Sequence, residues 1–196
     1  MDEKGKEQFG RHFRIWNEDR QLIYKLLVCF IHDRENATRL GLNPDKGILL
    51  TGPVGCGKTC LMKLMRLFQL QSGQFVLKSC REISFEFIKN GYEVIQKYGS
   101  TAGRYASQTE KLPVTYCFDD LGTEQNLKYY GNECNVMGEI LLSRYELFVS
   151  CGTLTHLTTN LSASEIESFY GNRIRSRMRE MFNLISFSKD AKDKRK

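Results

Sequence analysis

Between Gly52 and Thr59 the chain reads G-P-V-G-C-G-K-T, which matches the pattern G-x-x-x-x-G-K-[ST]. The glycines let the backbone turn its N–H groups onto an anion. The lysine can reach the β and γ oxygens of a nucleoside triphosphate, and the threonine hydroxyl is a ligand for magnesium. Gly52, Pro53, Val54, Gly55, Cys56, Gly57, Lys58, Thr59 and Cys60 are therefore the expected ATP contacts, with Lys58 acting on the phosphates and Thr59 on Mg2+. Such a loop needs a carboxylate at the end of a neighbouring strand, and Y-C-F-D-D-L-G at Tyr116–Gly122 supplies two. Asp119 is expected to hold the metal, directly or through water. Asp120 is expected to orient or deprotonate the water that attacks the γ-phosphate. A glycine turn and an Asp-Asp strand cap are the bland alternatives. They explain neither the order of the two motifs nor the apolar run that precedes each.

The elements that must position these residues follow from periodicity. G-I-L-L-T at Gly47–Thr51 is a short apolar run leading into the glycine loop, and Leu61, Leu64, Met65 and Phe68 then mark one helical face. Strands are predicted at Gln74–Ser79, Val114–Phe118, Leu154–Thr158 and Asn183–Phe187. Helices are predicted over Arg20–Leu40, over Arg81–Tyr98 with a break near Gly91, over Cys134–Val149, and over Arg173–Met181. Ser162 and Glu165 form a capping box that opens a further short helix. Alternating strands and helices imply an α/β, three-layer fold with a five-stranded parallel sheet.

Length and composition fit that architecture. The 196 residues, 41% of them apolar, suffice for one α/β core. The reading divides the chain into an N-terminal helical segment (1–44), a core (45–188) and a basic, solvated, disordered tail (189–196). Seven cysteines lie singly, without C-x-x-C pairs, and no apolar run reaches membrane-spanning length; a reduced, cytoplasmic protein with no membrane partner is expected. Cys56 and Cys60 read as bystanders to the phosphate loop rather than metal ligands, and His12, His32 and His156 have no ligand spacing. A net charge of +6 is a weak pointer to a polyanionic partner.

Taken together, G-P-V-G-C-G-K-T, F-D-D-L-G-T-E, the T-T-N ending at Asn160 and Y-G-N-R-I-R-S-R-M-R-E-M at Tyr170–Met181 resemble the AAA+ ATPases, specifically the DnaC/IstB-like helicase loaders and transposition helpers, over about Asp45–Phe187. The resemblance implies an oligomeric ATPase that uses ATP and Mg2+. Its implied partners are single-stranded DNA and a DNA-associated protein, a helicase or a transposase. It also implies that Asn160 is sensor 1, touching the γ-phosphate or the lytic water, where a turn-forming Asn is the alternative. Arg177, with Arg173 second, would complete a neighbouring subunit's site; a solvated basic face is the alternative for the row of Arg173, Arg175, Arg177 and Arg179. The segment Arg81–Tyr98 resembles the initiator and loader insert that tracks single-stranded DNA, with Lys89, Lys97, Phe85, Phe87, Tyr92 and Tyr98 as candidates against a core reading of the aromatics.

Three departures from the pattern are visible. The core runs directly into the basic tail, so no helical lid domain is expected. Asp120 stands where the wider superfamily has Glu, which predicts slow turnover. The segment before Asp45 is short for a partner-binding domain. Two other functions use the same loop: a small nucleotide or metabolite kinase, which needs an acceptor site and an arginine-bearing lid, and an ATP-gated single-stranded DNA-binding module with little hydrolysis.

Overall fold

A computed structural model describes residues 1–69, 74–100, 103–105, 111–124, 127–129 and 132–195. In chain order the first half comprises α1 (Asp2–Phe9), α2 (Arg20–Phe30), α3 (Arg34–Arg39), β1 (Gly47–Thr51), α4 (Lys58–Arg66), β2 (Val76–Ser79), α5 (Cys80–Asn90) and α6 (Glu93–Gly99). The second half comprises β3 (Gly103–Tyr105), β4 (Lys111–Pro113), β5 (Tyr116–Leu121), β6 (Leu127–Tyr129), β7 (Asn132–Cys134), α7 (Val136–Cys151), β8 (Thr155–Thr159), α8 (Ala163–Met181) and β9 (Phe182–Ser186).

The expected five-stranded parallel sheet is present, in the order β2-β5-β8-β1-β9. Strands buried on both faces read as continuous apolar runs, and β1 does so because alternate side chains enter different layers. Ile48 and Leu50 pack with Leu26, Phe30, Met62 and Phe75 beneath α2 and α4. Leu49 packs on the opposite face with Ile83, Phe87, Ile140 and Ile174, beneath α5, α7 and α8. Two short antiparallel pairs, β3 with β4 and β6 with β7, lie outside this sheet and were not expected from the sequence. Strands of three residues leave no alternation to detect.

Several expected boundaries move. The helix predicted over Arg20–Leu40 is two helices, because His32 adopts φ 55° and the Asp33 carboxylate accepts the Asn36 N–H at 3.0 Å, starting α3 afresh. The break near Gly91 is where periodicity put it. β5 runs on through Asp119 and Asp120, whereas the predicted strand ended at Phe118. The segment expected to be a solvated tail turns back instead. Lys194 N donates to Gly55 O at 3.0 Å, and the Lys194 ammonium pairs with Asp19 where both side chains are about nine-tenths covered. A buried carboxylate on the core attracts the lysine more strongly than solvation releases it. No helix among the described residues is long and apolar enough to cross a membrane.

Candidate active site

The ends of β1, β5 and β8 lie side by side at the carboxyl edge of the sheet, where parallel α/β folds place ligands. From β1 the chain enters the glycine loop. Gly55 has φ 83° and Gly57 has φ 100°, conformations that L side chains rarely adopt, and Gly57 caps the start of α4. Lys58 opens that helix, is almost wholly covered, and donates from Nζ to the carbonyls of Gly52 at 2.8 Å and Pro53 at 2.9 Å. Those carbonyls hold the ammonium at the loop. Cys56 faces the core with Ile48, Leu61 and Phe187, and burial raises its thiol pKa, as it does for Cys60; neither is poised to ionise.

Across the edge, Thr59 Oγ1 lies 3.0 and 2.9 Å from the two carboxylate oxygens of Asp119. The two residues proposed for magnesium, sixty positions apart in sequence, are thus in contact. A hydroxyl against a carboxylate is a hard-oxygen donor pair of the kind Mg2+ takes, with water and phosphate to fill the remaining positions. The residues present fit the metal.

Asp119 is fixed by a residue the sequence reading missed. Thr158, fully buried on β8, donates from Oγ1 to Asp119 Oδ1 at 2.6 Å and accepts the Asp120 N–H at 2.9 Å. The register between β5 and β8 shifts between Phe118 and Leu121, and Asp120 at that bulge takes φ 56°. A bulge re-aims consecutive side chains, so Asp119 stays buried while Asp120 turns toward the open cavity. Burial first, and the charge of Asp119 second, raise the Asp120 carboxyl pKa, the direction that makes a carboxylate a better base. Thr159 Oγ1 donates to Leu121 O at 2.6 Å and accepts Leu161 N–H at 3.1 Å, pinning the turn that carries Asn160. The only sequence signal for Thr158 is its place two residues before Asn160.

A cavity of about 410 Å³ is lined by Val54, Gly55, Gly57, Lys58, Thr59, Cys60, Asp120, Thr123, Asn160 and Arg195. It brings the loop, Asp120 and Asn160 together, and adds Arg195, which lies in the segment expected to be a solvated tail. A second cavity of about 140 Å³ shares Gly55, Gly57, Cys60 and Arg195 with it and is walled by Phe13, Ile15, Trp16, Ile23 and Leu61. The loop leading to α2 is tied to α1 through Ile15 N–H on Asp2 Oδ1 at 3.0 Å, and the Arg14 guanidinium stacks 3.8 Å from the Trp16 ring centre.

Arg173 and Arg177 do not line this cavity. Both lie on α8 beyond the kink at Gly171. Arg177 packs over the Tyr145 ring at 4.3 Å and donates to its hydroxyl at 2.8 Å, while Arg173 is exposed and has no hydrogen bond or ion pair among the described residues. Arg175 is paired with Glu167. Glu124, which had no role from sequence, accepts the Gly122 N–H at 2.9 Å and the hydroxyl of Tyr170, tying the turn after β5 to α8.

The proposed DNA-tracking segment is α5 and α6, and half of its candidates are used internally. Phe87 and Tyr98 are core, and Lys97 is held by Glu86 at 2.7 Å, an acceptor that Tyr98 also uses. Phe85, Lys89 and Tyr92 are exposed.

No protein-family model and no curated protein matches the chain. Solved structures do. The DnaC helicase loader aligns with a TM-score of 0.60 at 17% identity, covering 91% of this chain and 95% of that one. DnaI aligns at 0.58 and 18%, covering 90% and 88%. The replication initiator DnaA bound to AMPPCP and single-stranded DNA aligns at 0.56 and 17%, covering 91% of this chain and 49% of the initiator. The α/β fold that carries this site is the fold of the DnaC and DnaI structures and of part of DnaA.

Proposed function

We propose that the chain is an AAA+ ATPase of the DnaC/IstB-like kind, which binds ATP with Mg2+ and couples binding and slow hydrolysis to work on a DNA-bound complex, as a helicase loader or transposition helper. The observation that carries this is the contact of Thr59 with Asp119 beside an open, lysine-lined cavity. In this reading the loop N–H groups and Lys58 hold the phosphates, Lys58 exchanging its two carbonyl partners for β and γ oxygens. Thr59 and Asp119 hold the metal, which when bound neutralises phosphate charge. Asp120, turned into the cavity by the bulge, takes a proton from the attacking water, and Asn160 holds that water or the γ-phosphate. The purine lies in the adjoining cavity, where Phe13, Ile15, Trp16 and Leu61 offer apolar surface for a flat base beside the polar His12, Arg14, Asp19 and Lys194.

Arg177, with Arg173 as the second candidate, acts in trans on a neighbouring subunit, so the working species is a homo-oligomer. The release of Arg177 from Tyr145 is then part of assembly. The exposed Phe85 and Lys89 of α5 and Tyr92 just before α6 are the single-stranded DNA contacts, by stacking and phosphate attraction. The site of action is the cytoplasm.

The test is steady-state ATP hydrolysis with and without single-stranded DNA, over a range of protein concentrations, for wild type, Asp120→Asn and Arg177→Ala. The expected result is DNA stimulation that rises faster than linearly with protein and is lost in both variants. A rate linear in protein and indifferent to DNA and to Arg177 would contradict the shared-site machine and favour a kinase. A wild type that binds ATP without turnover would favour the ATP-gated module.

A further inference from the structure

β9 ends the sheet on one side and pairs with β1 alone among the described strands. Phe187 N donates to Thr51 O at 2.8 Å, and along a parallel edge strand the bonding residues alternate. Asn183 and Ile185 therefore face β1 as well, and Phe182, Leu184 and Ser186 turn their main-chain groups outward. The Phe182 N–H is taken by Met178 O. The Phe182 carbonyl and both main-chain groups of Leu184 and Ser186 have no partner among the described residues. Edge strands are ordinarily blunted by charge, proline, a bulge or a cover. β2, at the other edge, carries Lys78 and has no exposed residue. β9 reads F-N-L-I-S, without charge or proline, and Leu184 is 63% exposed.

Both flanks of this edge are open. Leu184 and Ser186 line a cavity of about 540 Å³ on the α2 side and another of about 370 Å³ on the α8 side. Leu184 shares the α8 face with Phe182, while Ile185 and Phe187 pack beneath α2. On the α2 side, Glu18 and Asp190 stand near the carboxyl end of β9, and Lys25 lies about two turns further along α2, toward the end where Asn43 bonds Asn183. Glu18, Asp190 and Lys25 have no ion pair among the described residues.

We propose that β9 is the pairing edge of a homodimer, in which two copies join their sheets antiparallel about a two-fold axis at Leu184. Leu184 exchanges N–H and C=O bonds with the partner's Leu184, and Ser186 N–H donates to the partner's Phe182 carbonyl. The two leucine side chains cover each other on the α8 face. A second copy fits because this edge is self-complementary, as a two-fold contact requires. Its acidic and basic groups lie at opposite ends of the strand, so antiparallel pairing carries each Lys25 toward the partner's Glu18 and the partner's Asp190. Neither cavity shares a residue with the nucleotide cavity, and Arg177 lines neither. The contact therefore forms without ATP and leaves the in-trans arginine free.

The test is sedimentation equilibrium of the full chain without nucleotide, for wild type, Leu184→Lys, Lys25→Glu and Arg177→Ala, with oxidative cross-linking of Leu184→Cys. Wild type and Arg177→Ala are expected to show the same monomer–dimer equilibrium. Leu184→Lys, which sets like charges opposite each other, is expected to weaken it by about tenfold or more. Lys25→Glu is expected to weaken it about threefold, less at high salt. Residues facing each other in a hydrogen-bonded pair have Cα atoms about 5.5 Å apart, within disulfide reach, so Leu184→Cys is expected to cross-link beyond the background of exposed Cys151. A monomeric wild type overturns the proposal and leaves the edge to a strand of another protein. A dimer that Leu184→Lys or Lys25→Glu leaves unchanged, that Arg177→Ala abolishes, or that Leu184→Cys does not trap also overturns it. Leu184 and Lys25 lie outside the fully buried core, and matching thermal melts verify that their variants fold.

Discussion

At the scale of single residues the site depends on a hydroxyl that makes no contact with the cavity. Thr158 bonds Asp119 and the Asp120 backbone together from the neighbouring strand, so both aspartates take their positions from it. Thr158→Val keeps the shape and removes both bonds, leaving Asp119 held only by Thr59 and the Asp120 N–H without a partner. Residues that orient a metal-binding carboxylate typically contribute 10- to 100-fold, so ATP turnover in this variant is expected to fall about that much, with a loss of Mg2+ affinity read from the magnesium dependence of the rate. Turnover and magnesium dependence both equal to wild type would mean that Asp119 needs no such support. Lys58, Thr59, Asp119 and Asp120 were legible because their residue types and order constitute a chemical pattern. Thr158 was not, because a threonine in a strand is unremarkable until the strand order is known. Arg195 was hidden by its neighbours: a run of charges reads as solvated unless a buried acid such as Asp19 is known to await it.

At the scale of elements, α8 carries Arg173, Arg175, Arg177 and Arg179 and is tied down at its start and at its kink. Its capping box is complete: Ser162 Oγ accepts the Glu165 N–H at 3.3 Å and Glu165 Oε2 accepts the Ser162 N–H at 2.7 Å. Gly171 then interrupts the helix with φ 83°, and the Glu124 to Tyr170 bond fixes the last residue before the kink to the turn after β5. Ser162→Ala is expected to cost about 1 kcal/mol of stability, measured by urea unfolding, the usual value for a lost N-cap. Tyr170 and Glu124 join the turn after β5 to α8. This capping box and the break at Gly91 were readable because caps and glycines leave local signals. The order of strands and the two short hairpins were not, since both are set by contacts distant in sequence. The split of α2 from α3 was missed because no Gly or Pro marks the break, while the cause, the capping carboxylate of Asp33, is a polar feature.

For the whole molecule, the layer on one side of the sheet packs over His156 of β8, a buried imidazole that ordinary solvation would leave partly charged near neutral pH. It lies between Phe30 and Phe75, with ring centres 5.0 and 5.1 Å away, and its Nδ1 accepts the Ile48 N–H at 3.1 Å, which requires the neutral ring. Burial above all, then the nearby Arg144 charge, lowers its pKa from 6.5 to about 3. The unfolded chain therefore binds a proton below about pH 6.5 that the folded chain refuses until about pH 3, and stability is lost as pH falls through that window. Above pH 6.5 the contribution is fully present; within the window the loss approaches about 1.4 kcal/mol per pH unit from this residue alone. His156→Gln can still accept the Ile48 N–H but does not titrate. It is expected to be less stable at pH 8 through poorer packing, yet to lose less stability between pH 6.5 and 4.5 than wild type. Urea unfolding at these pH values measures both chains against the same background of surface carboxylates. Parallel pH profiles for the two would mean that the imidazole is charged in the folded state, which would contradict the acceptor role that joins β8 to β1 at the centre of the sheet.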